Sequence, residues 1–238
     1  MENDLHLGQH ISKRFNEELE DVRNLVLKMG GLVEQQVGNG LKALLNADQE
    51  LAQKIVDEDD RVNALEIQID ETCTQILARR QPAASDLRLM VSIIKTITDL
   101  ERIGDEAVKL GKNAAKLSDD GKSARQFVEL RHLGEHVSEM LNKALTAYAR
   151  LDANTAFEII KNDKIIDEEF DNISRLLITK MMEDPREIKN ALRISWCARA
   201  LERIGDHTKN ICEYIVYLVK GEDVRHTTIE EIRNKIMD

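Results

Sequence analysis

One hexapeptide occurs twice, as Leu100-Glu101-Arg102-Ile103-Gly104-Asp105 and, 101 positions later, as Leu201-Glu202-Arg203-Ile204-Gly205-Asp206. A chain that repeats itself near the end of each half is built from two copies of one structural unit. On a helix the Glu and Asp of each copy stand one turn apart on a single face, where two carboxylates repel unless a cation joins them. The Gly between them removes side-chain bulk from that face at some cost in helix propensity.

The hydrophobic spacing around the hexapeptides is helical throughout. Phe15, Leu19, Val22, Val26, Met29, Val33, Val37, Leu41 and Leu44 recur by threes and fours and predict a long first helix. Gly30, Gly31 and Gly38 inside it predict a kink or a close helix contact. Asp48 is suited to cap a second helix, which carries Ile55, Asp59, Val62, Glu66, Ile69, Cys73 and Ile76 and stops at Pro82. A third, starting near residue 83, carries two apolar lines and so touches two neighbours.

Ser118 to Ser123 is the best boundary between halves, and Ser123-Ala124-Arg125-Gln126 has the form of a capping box that restarts the pattern. Leu130 to Tyr148 predicts the fourth helix. The fifth opens at Asp152 and carries Ile159, Asp163, Ile166, Phe170, Ile173 and Leu177. The sixth begins at Asp184-Pro185 and ends at Lys220-Gly221. Asp48, Asp59 and Val62 match Asp152, Asp163 and Ile166 at an offset of 104, which falls to 101 after the longer Pro82 loop. The expectation is an all-α protein of two tandem, pseudo-symmetric three-helix bundles with six long antiparallel helices. The halves are expected at residues 1–118 and 123–221, with a C-terminal tail, 222–238, that includes a short helix after Thr228.

Composition agrees with helix and removes several classes of function. The 238 residues include only 2 Pro and 3% aromatics. A formal net charge of −10 argues against a nucleic-acid binder, which concentrates Lys and Arg against phosphates. No apolar run reaches the ~18 residues of a membrane span, and the N-terminus lacks a signal pattern, so the expected location is cytoplasmic. Three cysteines, Cys73, Cys197 and Cys212, without Cys-x-x-Cys spacing, read as buried free thiols. Phosphate-loop, dinucleotide-binding and nucleophile-elbow motifs are absent.

In an antiparallel hairpin, residues equally far from the turn lie at one height. Asp59 precedes Pro82 by 23 residues and Asp105 follows it by 23; Asp163 precedes Asp184 by 21 and Asp206 follows it by 22. The candidate constellations are therefore Asp59, with Asn63 or Glu66, facing Glu101 and Asp105, and Asp163 and Asp167 facing Glu202 and Asp206. Oxygen-only ligands suit divalent Mg, Mn, Ca or Fe, and suit a thiophilic ion such as Zn less well. The competing reading is a solvated acid face balanced by Arg102, Arg203 and nearby Lys. Asp59 and Asp163 interrupt apolar stripes, which favours the metal. Glu129 and His132 form the one Glu-x-x-His pair, read as a surface feature, whereas His136 stands level with Asp167 as an extra ligand or a hydrogen-bonded histidine. Trp196, Tyr214 and Tyr217 read as core or dimer-surface aromatics. Two functional classes follow: a binding module, or a metal-dependent hydrolase or oxidase on bundle carboxylates.

The doubled hexapeptide, Arg80-Gln81-Pro82 with Asp86-Leu87-Arg88, Met29-Gly30-Gly31, and Asn210-Ile211-Cys212-Glu213 with Lys220-Gly221 together resemble the PhoU family over nearly the whole chain. The resemblance implies tandem three-helix bundles, a homodimer, and metal on Glu/Asp-x-x-x-Asp motifs. Here these fall on Glu101/Asp105 and Glu202/Asp206, with Asp59 and Asp163/Asp167 as hairpin partners. It also implies a cytosolic adaptor without catalysis that restrains the phosphate starvation response and phosphate uptake. The implied partners are the ATPase of the phosphate ABC transporter and the phosphate-sensing histidine kinase PhoR, with no nucleic acid and membrane contact only through partner proteins. The first copy departs from the pattern, with Asn63 where the second has Asp167 and Lys109 where it has Asn210.

Overall fold

A computed structural model of the chain describes residues 13–82, 84–121, 124 and 127–237. Among these, the helices are α1 (Lys13–Asn46), α2 (Gln49–Asp57), α3 (Asp59–Arg80), α4 (Ala84–Asp119), α5 (Val128–Arg150), α6 (Ala153–Asn162), α7 (Lys164–Glu183), α8 (Ile188–Lys220) and α9 (Ile229–Met237), with one 3-10 turn at Pro185–Glu187. There is no strand among the described residues. In the first half α1 and the α2–α3 pair flank α4; in the second α5 and the α6–α7 pair flank α8. Each half is a three-helix bundle, and the short helix after Thr228 is α9, laid against α6 and α8. The capping box rests on Ser123 and Gln126, outside the described residues.

The caps explain where the chain turns. The Asp48 carboxylate accepts the Leu51 amide at 2.9 Å, and that of Asp152 accepts the amides of Asn154 and Thr155 at 3.0 Å. These bonds satisfy donors that a helix start leaves without partners. Gly221, in the left-handed conformation at φ 79°, closes α8 by donating its amide to Tyr217. The Arg80 guanidinium grips both carboxylate oxygens of Glu18 at 2.8 and 2.9 Å, tying the end of α3 to the start of α1.

The second long helix of each half is not continuous, as its apolar stripe predicts, but broken, at Glu58 and at Asp163. The breaks lie close to the 104-residue offset, so the repeat preserves them. Each puts an acid at a helix start: Asp59 in the first turn of α3, Asp163 immediately before α7. Negative charge is favoured there by the helix dipole.

The halves pack through two antiparallel seams. Where α1 crosses α5, a Cβ built on Gly30 would lie 2.6 Å from Leu145, and one on Gly134 would lie 2.4 Å from Leu41. A glycine on each helix therefore receives a leucine of the other, and the two contacts are related by the 104-residue offset. Gly31 and Gly38 meet nothing within 4 Å. At the α4–α8 seam, Asp99 pairs with Asn210 and Glu106 with Arg203, and the numbers of each pair add to 309. Those of Gly104 and Gly205 do the same, so the two hexapeptides stand level across the centre of the molecule. All three cysteines are buried and free.

Candidate metal centre

The geometry of each site follows from the hexapeptide glycine. A Cβ on Gly205 would stand 3.2 Å from Ile166 on α7, and one on Gly104 would stand 3.7 Å from the Asp59 carboxylate and 3.6 Å from Val62 on α3. Glycine thus lets the acid-bearing helix lie close to the hexapeptide helix, and carboxylates from two helices converge.

In the second half, carboxylate oxygens of Asp167, Glu202 and Asp206 all lie within 4.8 Å of one another. Burial, then Asp206, holds the Glu202 carboxyl above its ordinary range. Burial, then Asp163 and Asp167, does the same to Asp206. Asp167 is raised by burial and then by Asp163. Protons favoured on three neighbouring acids are the signature of a cluster short of positive charge. Arg199 supplies one counter-charge, 2.9 Å from Glu202 Oε1. Glu202 Oε2 is buried and has no hydrogen-bond partner. An oxygen left without a donor beside two further carboxylates fits a divalent cation held by Asp167, Glu202 and Asp206.

Asp163 stands apart from these three. It is buried, and its Oδ2 accepts a 2.7 Å hydrogen bond from Lys209 Nζ. Burial works against the charge on Lys209, yet the bond to Asp163 holds that ammonium above its usual range. His136, expected level with Asp167, turns to Glu169 instead, at 2.8 Å. His132 is exposed on α5.

In the first half the acids approach but do not form such a group among the described residues. Burial and then Asp105 raise the Asp59 carboxyl, while Asn63 offers it a hydrogen bond at 3.5 Å. Burial, followed by Asp105, Glu66 and Asp59, raises Glu101. Glu101 therefore feels Asp105, Glu66 and Asp59, and Asp59 feels Asp105, while Asn63 occupies the place of Asp167 with a donor in place of a charge.

Sequence reasoning missed the polar seam between the sites. His207, 7% exposed, donates from Nδ1 to Asp99 Oδ1 at 2.7 Å, and Asn210 donates to the same oxygen at 3.2 Å. Arg203, read from the sequence as a balance for its own acids, reaches Glu106 on α4 at 3.1 Å, which also pairs with Lys109 at 2.8 Å. The signal available was the divergence of the copies after the hexapeptide, Lys109 against Asn210.

Fold and site together define a class: an internally duplicated helical-bundle protein that gathers carboxylates against a glycine in each half. The model of the PhoU domain matches twice, over residues 26–114 and 130–215. Among similar proteins, the phosphate-specific transport system accessory protein PhoU homolog of Pseudomonas aeruginosa is 52% identical over 230 residues, 97% of this chain and 95% of that one. The Escherichia coli (strain K12) accessory protein PhoU is 47% identical over 229 residues, 96% and 94% of the two chains. The crystal structure of PhoU from P. aeruginosa aligns with a TM-score of 0.85 at 53% identity, covering 87% of this chain and all of that one. That of the phosphate transport system regulatory protein PhoU from Streptococcus pneumoniae aligns at 0.81 and 33% identity, covering 88% and 99%. The chain belongs to the PhoU family.

Proposed function

We propose that this protein is a regulatory adaptor of phosphate transport that acts by binding and not by turnover. Membership of the PhoU family and the names of its relatives support the first part. In this reading it works in the cytoplasm as a homodimer and lowers phosphate uptake and the starvation response when phosphate is plentiful. It does so by linking the ATPase of the phosphate ABC transporter to the sensor kinase PhoR. No helix among the described residues is long and apolar enough to cross a membrane, consistent with reaching the membrane only through such partners. The halves, residues 1–118 and 123–221, act as paired units with residues 222–238 as an appendage.

The observation that carries the metal part of the reading is the orphaned Glu202 Oε2 beside Asp167 and Asp206. A hard divalent cation there, of the Mg, Mn, Ca or Fe type, would neutralise the cluster and fix α7 against α8. Zn fits an all-oxygen set less well. The first-half acids, Asp59, Glu101 and Asp105, form the weaker counterpart because Asn63 supplies no charge.

Metal analysis of protein purified without chelator tests the site: the expected result is bound divalent metal that Glu202→Gln reduces while the helical signal and the fold are retained. Unchanged metal content in that variant overturns the assignment. Affinity capture on the transporter ATPase and on the PhoR cytoplasmic region tests the adaptor, and capture of neither overturns it.

A further inference from the structure

The acid cluster occupies one end of the exposed face of the α7–α8 hairpin, and the other end of that face is apolar. Contacts across this hairpin fix its register: Ile166 meets Gly205, and Phe170 stacks under Arg199, with numbers that add to about 370. In the same register Ile178 stands level with Leu192, and Met182 with Ile188. Helical spacing puts Asp167, Asp171, Ile178 and Met182 on one stripe of α7, and Ile188, Leu192 and Trp196 on one stripe of α8. All five apolar side chains are exposed, Met182 by 80% and both Ile178 and Trp196 by 54%.

The molecule contains its own control for whether the bundle requires this. Through the repeat offsets, Ile178, Met182, Ile188, Leu192 and Trp196 correspond to Thr74, Ala78, Leu87, Val91 and Lys95 in the first half. Thr74 and Ala78 are exposed, and Lys95 lies over the rings of Tyr214 and Tyr217. The matching hairpin of the first half therefore stands with a much smaller apolar face, on which only Leu87, 44% exposed, keeps a large exposed apolar side chain among these five positions. The second half has enlarged it.

We infer that this face is where two copies of the chain meet, an inference that rests on the homodimer in the reading above and assigns its surface. Two observations select a second copy. Taking roughly 200 Å² for each large apolar side chain, the five expose about 540 Å². A two-fold contact buries the same patch on both copies, about 1,100 Å² in all, which clears the roughly 1,000 Å² that a specific interface needs. Charge is the second. The chain carries −10 overall, which repels a copy of itself, whereas the segment from Asp171 to Arg199 holds four acidic and six basic residues. Two copies approaching through this end meet where the negative field of the molecule is locally cancelled. The metal cluster then lies at the edge of the interface, about 9 Å along α8 between Trp196 and Glu202, so an ion that fixes α7 against α8 also fixes the shape of the contact.

Sedimentation velocity of the full chain at micromolar concentration tests this, comparing the natural sequence with Met182→Glu, Trp196→Glu and, as an exposed apolar control in the first half, Ile67→Glu. These are surface positions, and melting curves check that each variant folds. The expected result is twice the chain mass for the natural protein and for Ile67→Glu. For Met182→Glu and Trp196→Glu the dimer dissociation constant should rise about 30-fold or more. A natural dimer that both α7–α8 variants preserve overturns the surface while leaving the homodimer standing. A natural monomer overturns both and leaves the adaptor and metal tests untouched. A monomer that co-floats with vesicles containing phosphatidylglycerol also overturns it, giving the face to lipid.

Discussion

Lys209 decides how many carboxylates the second-half site offers, because its ammonium holds Asp163 out of the Asp167, Glu202 and Asp206 group. Removing one member of a buried ion pair leaves the other charged and uncompensated. Lys209→Met is therefore expected to destabilise the metal-free protein by about 2 kcal/mol. Added Mn should restore that stability and bind more tightly, as a fourth oxygen ligand becomes free; melting curves and Mn titration calorimetry check both. Glu213 behaves differently. Burial pushes its carboxyl up to about 7, with Lys209 pulling the other way. The folded state thus holds a proton that the unfolded chain releases near 4.5, and the stability this gives below 4.5 is lost as pH rises through about 7. Urea midpoints should fall more between pH 5 and pH 8 for the natural chain than for Glu213→Gln. The height argument from the turn is legible in sequence and brings Asp163 within electrostatic reach of Asp206, but the three carboxylates that converge are Asp167, Glu202 and Asp206. The side chain that captures Asp163 is not legible, because a lysine's reach depends on rotamers that periodicity does not encode.

At the scale of elements, glycine has opposite consequences at sites that look alike in sequence. Gly31 and Gly134 both lie inside long helices, but a Cβ meets nothing within 4 Å at the first and lies 2.4 Å from Leu41 at the second. Gly31→Ala should stabilise by about 1 kcal/mol, the difference in helix propensity. Gly134→Ala should destabilise by about 1 kcal/mol net, because overpacking against buried Leu41 outweighs that gain. Chemical denaturation of the two single variants reads the difference in sign. The helices themselves were readable from hydrophobic spacing, and Asp48, Asp152 and Gly221 cap where their residue types suggest. The breaks at Glu58 and Asp163 were hidden, because neither carries Gly or Pro and the apolar stripe runs through both with its period intact. They arise where the chain must bring an acid toward the neighbouring helix, which is a tertiary demand and not a local preference.

Over the whole molecule, the sequence reveals two copies but not how they are joined. The Asp99–His207, Glu106–Arg203 and Gly–Leu contacts all cross between halves, and no residue's periodicity states which face of one bundle meets the other. The repeat makes sense of them afterwards, because Gly30 with Leu145 and Gly134 with Leu41 are one contact made twice. Each bundle consequently owns both plug and socket. Severed between Gly121 and Phe127, either fragment would find in a duplicate of itself the sibling it had lost, and the present chain is in effect such a pair, fused so that its two members were free to diverge.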